Sequence, residues 1–314
     1  MKTDKVNKRI VYLDVLRILA CFLVIVNHTN SQIFQNIKPS TTWFVSITYF
    51  FICKVAVPIF VMVSGVVLLN KENSYKEIFE KLFRILIVLV LFASVYYIDN
   101  VITNGTSFSI KKFILNIYRG NITNAYWYLY LYIGILFMLP ILQRLNTVMK
   151  KKDYIYFFVI SLLISLMPII THYKKSLQYS SNINLSLFNI YICLLFMGYF
   201  IENYLNITRR ITICAFLLFV LTTFFNVIIT YFEYTSNLSK GYLFFSDRTL
   251  INIVIPSICI FIIVKYLCSS VTLNEKVQNI LSEVGKCTFG IYLISDLTIK
   301  KLKFVYTGLI LIFN

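Results

Sequence analysis

The sequence predicts an all-α, polytopic membrane protein. We expect a bundle of about nine to ten transmembrane helices, one membrane domain over residues 1–314, and a cytoplasmic N-terminus. Three observations lead there. Apolar runs of about 20 residues, each long enough to cross a bilayer core, recur along the chain. Hydrophobic residues make up 59% of it and charged residues only 14%, where a soluble domain is about 25% charged. The cations cluster in alternate loops, the asymmetry that marks cytoplasmic loops. With lipid as solvent, backbone groups at depth must be satisfied within their own segment, so the spans are helices.

The first apolar segment covers residues 10–30. The preceding "MKTDKVNKR" resembles the n-region of a signal peptide. However, the apolar stretch is too long, holds Arg17 and His28, and lacks a small-residue cleavage site, so it reads as a retained first helix. Further spans are 43–69, 82–98, 125–142, 154–171, 187–201, 211–232, 250–268 and about 285–299. A last apolar stretch, 304–313, falls short of the roughly 17 residues a crossing needs.

Orientation follows from the basic N-terminal tail (Lys2, Lys5, Lys8, Arg9) and from every second loop after it. Those loops carry Lys71, Lys76, Lys81 and Arg84, then Arg144, Lys150, Lys151 and Lys152, then Arg209 and Arg210. They are assigned to the cytoplasm. Lys111, Lys112, Arg119, Lys174 and Lys175 fall outside. The stretch "SFSIKKFILNIYRG" is read as an amphipathic helix in the outer interface.

The net charge of +17 belongs to this loop pattern. It points to the lipid bilayer, anionic headgroups and cytosolic phosphates as partners, with no nucleic acid. The seven cysteines are scattered, with no CxxC and no Cys/His cluster. They read as small apolar fillers, with no metal and no disulfide. Abundant Ile, Asn, Lys, Phe and Tyr reflect AT-rich codons. They point to a bacterial cytoplasmic membrane and deprive the Asn121-Ile-Thr match of weight as a glycosylation site.

The first helix raises a chemical question. Arg17 and His28 are eleven residues apart, about three turns plus 20°, so they share a face roughly 16 Å apart along the axis. Asp14, at i−3 from Arg17, lies on that face too. An ionisable group inside a membrane helix costs at least about 2.5 kcal/mol for Arg or Asp, and it persists where it meets a polar cavity or a partner. The plain reading is a structural Asp14–Arg17 pair near the inner interface, with His28 reaching outward. The chemical reading is a site.

Four segments then carry a resemblance. "LDVLRILACFLVIVNH" is similar to the start of the integral-membrane acyltransferase 3 family, whose first helix holds an Arg-x10-His motif. "VPIFVMVSGVVLL" resembles its second-helix Pro-Phe-Ser-Gly segment, and "YWYLYLYIGILFMLPIL" its Trp-Tyr helix leading to Leu-Pro. "GKCTFGIYLIS" resembles its late Thr/Ser-Phe-x-Ile-Tyr-Leu-Ile-His segment, here ending in Ser295. Lys81 and Arg84 stand where some members have two arginines, and the final helix is expected to be incomplete.

The resemblance implies transfer of an acyl group, usually acetyl, from cytoplasmic acyl-CoA to a hydroxyl, often on a cell-envelope polysaccharide or its precursor. Under it, His28 is the candidate base, because imidazole is the side chain best poised near neutral pH. Arg17, held by Asp14, stabilises an oxyanion or grips the donor. Lys81 and Arg84 suit the CoA phosphates; topogenic charge is their plain reading. Ser64 is a candidate substrate contact, against a packing role for Ser64-Gly65. Trp127 and Tyr128 either line an acceptor path or belong to the interfacial aromatic belt. Tyr292 and Ser295 are candidates for the cavity of His28, although spacing alone does not unite these helices. Lys54 receives no partner. The competing readings are a polysaccharide or small-solute transporter, in which Asp14, Arg17 and His28 line a path, and an inactive relative. The oligomeric state is left open.

Overall fold

The computed structural model describes residues 11–29, 33–177, 185–236 and 243–313, with side chains as far as 302. The basic tail (Lys2, Lys5, Lys8, Arg9) and the side chains of 304–313 lie outside the described residues. Eleven α-helices and no strand occur among the described residues. They are α1 (Val11–His28), α2 (Thr41–Lys54), α3 (Ala56–Leu69), α4 (Tyr75–Asn104), α5 (Ile110–Arg119), α6 (Trp127–Val148), α7 (Lys151–Tyr173), α8 (Ile190–Asn203), α9 (Arg209–Thr235), α10 (Ile251–Ser270) and α11 (Glu275–Phe313).

Local chemistry sets the ends. Ser40 accepts from the Trp43 N–H and starts α2. Ser74 and Glu77 form a reciprocal capping box at α4. Gly105 (φ 61°) and Gly120 (φ 72°) take up the left-handed conformation that stops α4 and α5. The single apolar run 43–69 is two helices, broken at Val55. The cause is Pro58, which has no N–H to donate to the carbonyl of Lys54; the ordinary i→i−4 pattern resumes with the Ile59 N–H on the Val55 carbonyl.

Seven stretches among the described residues are long and apolar enough to cross a membrane. They contain α1, α2 with α3, α4, α6, α7, α9 and α10. The expected span at 187–201 is the 14-residue α8, apolar but shorter. The two late segments, 285–299 and 304–313, form one 39-residue helix, α11. The intervening "IKKLK" is charged, but Lys and Leu are good helix formers, so the backbone runs on. Large apolar side chains such as Phe216, Leu221 and Phe224 on α9 are exposed, as lipid-facing residues must be.

The chain divides into two compact units. The first is drawn from Met1–Val67 and Lys150–Phe289. Here α9 and α10 are joined by buried amides: Asn226 Nδ2 donates to the Asn252 carbonyl (3.1 Å) and Asn252 Nδ2 to Asn226 Oδ1 (2.7 Å). An aromatic core forms around Phe34, Trp43, Phe50, Phe51 and Phe245. Helices α3 and α8 cross in backbone contact. A Cβ on Gly65 would lie 1.8 Å from the Leu195 carbonyl oxygen, and one on Gly198 2.0 Å from that of Met62.

The second unit is drawn from Leu68–Met149 and Gly290–Asn314. At one end, Gln143 of α6 finishes α3. Its amide donates to the Leu68 and Lys71 carbonyls (2.7 and 2.6 Å) and its Oε1 accepts from the Asn73 N–H (3.2 Å). Asn146 donates to the Leu69 carbonyl at 3.3 Å. Elsewhere the Tyr96 hydroxyl accepts from the Leu297 N–H (3.0 Å) and donates to the Leu293 carbonyl (3.1 Å). Helix α5 packs through Phe113 onto Tyr97 and leaves Ile110, Ile114 and Tyr118 exposed on one side.

Candidate functional site

The site begins with the stripe on α1. Asp14 is 2% exposed, so its carboxylate has to be paired, and Arg17 Nη1 donates to Oδ1 at 2.9 Å. One partner removed would leave an uncompensated buried charge. The stripe faces the first turns of α11. A Cβ on Gly285 would come 2.8 Å from Asp14 Oδ1, so only glycine leaves the carboxylate its place. About two turns on from Asp14, Cys21 Sγ donates to the Thr288 carbonyl (3.5 Å). Arg17 keeps 28% of its side chain exposed, so the guanidinium is held at one corner and open at the others. His28 closes α1 and is half-buried.

A second anchor fixes the start of α1. The Tyr12 hydroxyl donates to Glu202 of α8, and Lys265 of α10 pairs with the same carboxylate at 2.7 Å. Lys265 also donates to the Ile201 carbonyl at 2.8 Å. This three-helix clasp was not foreseen. Glu202 and Lys265 each sit near the end of an apolar run, where a charge passes for an interface residue. A further unforeseen group is Glu233, 2% exposed, which meets His172 at 3.2 Å and accepts from the Tyr173 hydroxyl at 2.6 Å. Its signal was a lone carboxylate directly after the 211–232 run.

In the second unit, Lys81 is half-buried and donates to Asn73 Oδ1 at 2.6 Å, while Arg84, one turn later on α4, is exposed. Tyr128 and Tyr292, far apart in sequence, meet edge to face at 5.9 Å. The Tyr292 hydroxyl donates to the Ala125 carbonyl. Trp127 is half-buried against Tyr128, its ring centroid 6.4 Å away. The Ser295 hydroxyl is buried and turned back on its own helix, donating to the Tyr292 carbonyl at 2.9 Å. In the first unit, Ser64 likewise donates to its own helix, at Phe60 (2.9 Å), beside the glycine that makes the α3–α8 contact. The structure therefore brings together Asp14 with Arg17, and Tyr128 with Tyr292. Ser64 and Ser295 have their hydroxyl protons committed to local carbonyls.

Chemically, α1 offers a fixed guanidinium and, three turns away on the same helix, an imidazole. A guanidinium can hold an anion, and an imidazole can take up a proton near neutral pH. No curated protein and no solved structure matches this chain. The family model described as acyltransferase domain (Acyl_transf_3) matches residues 10–313. With all eleven helices inside that one match, Arg17 and His28 among them, the chain belongs to this acyltransferase family and is a membrane acyltransferase.

Proposed function

We propose that the protein is an O-acyltransferase of a bacterial cytoplasmic membrane. It moves an acyl group, acetyl in the first instance, from cytoplasmic acyl-CoA to a hydroxyl of a cell-envelope polysaccharide or its precursor. The observation that carries this reading is the buried Asp14–Arg17 pair on the helix that ends in His28, within a family match spanning the chain. In the proposed step, His28 takes the acceptor's hydroxyl proton as that oxygen attacks the thioester carbonyl. The C–O bond forms, the C–S bond breaks, and the proton passes to the CoA sulfur, while Arg17, roughly 16 Å away along α1, grips another part of the donor. Lys81 and Arg84 would meet the CoA phosphates. Trp127, Tyr128 and Tyr292 would lie along the acceptor path.

The decisive experiment uses purified protein in a bilayer, acetyl-labelled CoA on one side and an acceptor glycan on the other. Label on the glycan supports the reading. Glycan crossing the bilayer with no label transferred would replace it with a transporter.

Donor binding gives a separate test. Arg17→Ala, and the double change Lys81→Ala with Arg84→Ala, should each weaken CoA binding measured by calorimetry. A lost charge-assisted contact is worth about 1.5–3 kcal/mol, or roughly ten- to hundredfold in Kd. Unchanged affinity in both variants would leave these cations as topological charge alone.

The proposed orientation has the N-terminus and residues 71–84 in the cytoplasm. Adding α8 and α11 to the seven candidate spans makes nine crossings. Single cysteines at Asn73 and Thr106, in a background without the native seven, should differ: an impermeant thiol reagent on intact cells labels only Thr106→Cys. The reverse pattern inverts the topology and removes Lys81 and Arg84 from the cytoplasmic mouth.

A further inference from the structure

The loop between α3 and α4 and the last turns of α6 enclose a cleft of about 310 Å³ within the second unit. That is the lower end of the range for small-molecule sites. The buried Gln143 and the half-buried Pro140 line its inner part, and the exposed Glu72, Tyr75 and Arg144 line its mouth. The cleft is preformed. Gln143 donates to the Leu68 and Lys71 carbonyls and accepts from the Asn73 N–H, so the loop cannot fold into the space without giving up those bonds.

The side chains at the mouth are set apart from one another. The Arg144 guanidinium lies over the Tyr75 ring, 5.5 Å from its centroid, and Tyr75 is 55% exposed. The Glu72 carboxylate lines the same cleft, yet among the described residues it makes no hydrogen bond or ion pair with Arg144 or any other group. A carboxylate and a guanidinium at one small site ordinarily close on each other in a bidentate pair. Held apart, they offer an acceptor and a donor to a ligand that carries both, beside an aromatic plane.

A phosphate does not suit this lining. Glu72 would repel it, and the capping box at the start of α4 has already spent the Ser74 and Glu77 N–H groups and placed a second carboxylate there. A purine with an exocyclic amine does suit it. The amine donates to Glu72, a ring nitrogen accepts from Arg144, and the flat ring stacks on Tyr75. Cations for phosphates attached to such a base stand next to the cleft. Lys81 donates to Oδ1 of Asn73, itself a lining residue, at 2.6 Å, and Arg84 follows one turn later on α4.

We propose that this cleft binds the adenine ring of acyl-CoA, with Glu72, Tyr75 and Arg144 recognising the base. The identity of the ligand as the acyl donor rests on the acyl-transfer reading; the preference of the cleft for adenine does not, so a binding assay and a transfer assay can fail independently. The volume admits the base and not the whole coenzyme. The phosphates, the pantetheine arm and the thioester therefore lie outside the cleft, the phosphates on the Lys81 side.

The test uses full-length protein in phosphatidylcholine nanodiscs and two soluble probes: adenosine 3′,5′-bisphosphate, and its inosine counterpart, which has a carbonyl in place of the amine. Calorimetry should show saturable binding of the adenosine probe. The inosine probe should bind about tenfold more weakly, because its carbonyl faces the Glu72 carboxylate. Glu72→Gln, whose amide can donate to that carbonyl, should narrow the ratio to within about threefold. A ratio taken within one protein does not depend on the fraction folded. Tyr75→Ala should weaken adenosine binding at least about fivefold, while Tyr75→Phe, which keeps the ring, should stay within about twofold of the wild type. No binding of either probe, equal binding of both by the wild type, or an unchanged ratio in Glu72→Gln overturns the proposal. Acetyl transfer from CoA by a protein with no adenine preference would remove this site and leave the acyl-transfer reading standing. An adenine-selective cleft in a protein that transfers no acyl group would keep the site and remove that reading.

Discussion

His28→Gln will transfer acyl groups at least about 100-fold more slowly than the wild type, the low end for losing a general base. Gln keeps the size of the side chain and one donor and one acceptor, but cannot take up a proton as imidazole does. The protein should insert and fold normally, because His28 is half-buried at the very end of α1, while that helix is anchored at its other end by Tyr12–Glu202 and Asp14–Arg17. Binding of acyl-CoA should be unchanged. The loss should fall on kcat, with KM close to the wild type, as expected when an interaction of the transition state alone is removed. The measurement is steady-state transfer of labelled acetyl to an acceptor glycan in a reconstituted bilayer. Full activity in His28→Gln would end the proposed mechanism.

Gly198→Val will yield little folded protein. A Cβ at 198 would sit 2.0 Å from the Met62 carbonyl oxygen and 2.6 Å from its carbon, and the reciprocal contact occurs at Gly65. Both sides of this contact are backbone, so no side-chain rotation makes room. Overpacking a core that can yield costs about 1–3 kcal/mol; here α3 and α8 have to separate, and the cost should reach or exceed the top of that range. Thermal unfolding in detergent reads the effect. Gly134→Ala is the control: a Cβ there meets nothing within 4 Å, and alanine is the better helix former by about 1 kcal/mol, so its midpoint should hold or rise. A Gly198→Val protein with a wild-type midpoint would show that the crossing is not close-packed.

Membrane segments were legible because their signal is local: hydropathy over one stretch needs no knowledge of any other. So was the α1 stripe, since Asp14, Arg17, Cys21 and His28 are related by helical period. The α2–α3 break was half visible, in that Pro58 marked a bend without giving its position at Val55. The late segments misled because hydropathy follows solvent preference and the backbone of α11 follows helix propensity. What could not be read were contacts between distant helices. Glu202 and Lys265 are 63 residues apart and Tyr12 and Glu202 190 apart, and no period links them. Tyr128 and Tyr292 were each recognised, but their meeting depends on helix packing.

The way α3 ends has a consequence for biogenesis. A helix that stops at a membrane surface ordinarily carries its own stop, a glycine or a hydroxyl within a residue or two. Here the carbonyls of Leu68, Leu69 and Lys71 are taken by Gln143 and Asn146, and Gln143 lies 75 residues beyond Leu68. While the chain is being made, those carbonyls must stay with water at the bilayer surface until α4, α5 and α6 have emerged. Only then is the third helix terminated by protein. The order of synthesis therefore leaves this end of α3 open until α6 is made, and a nascent chain halted before Gln143 would hold a frayed α3.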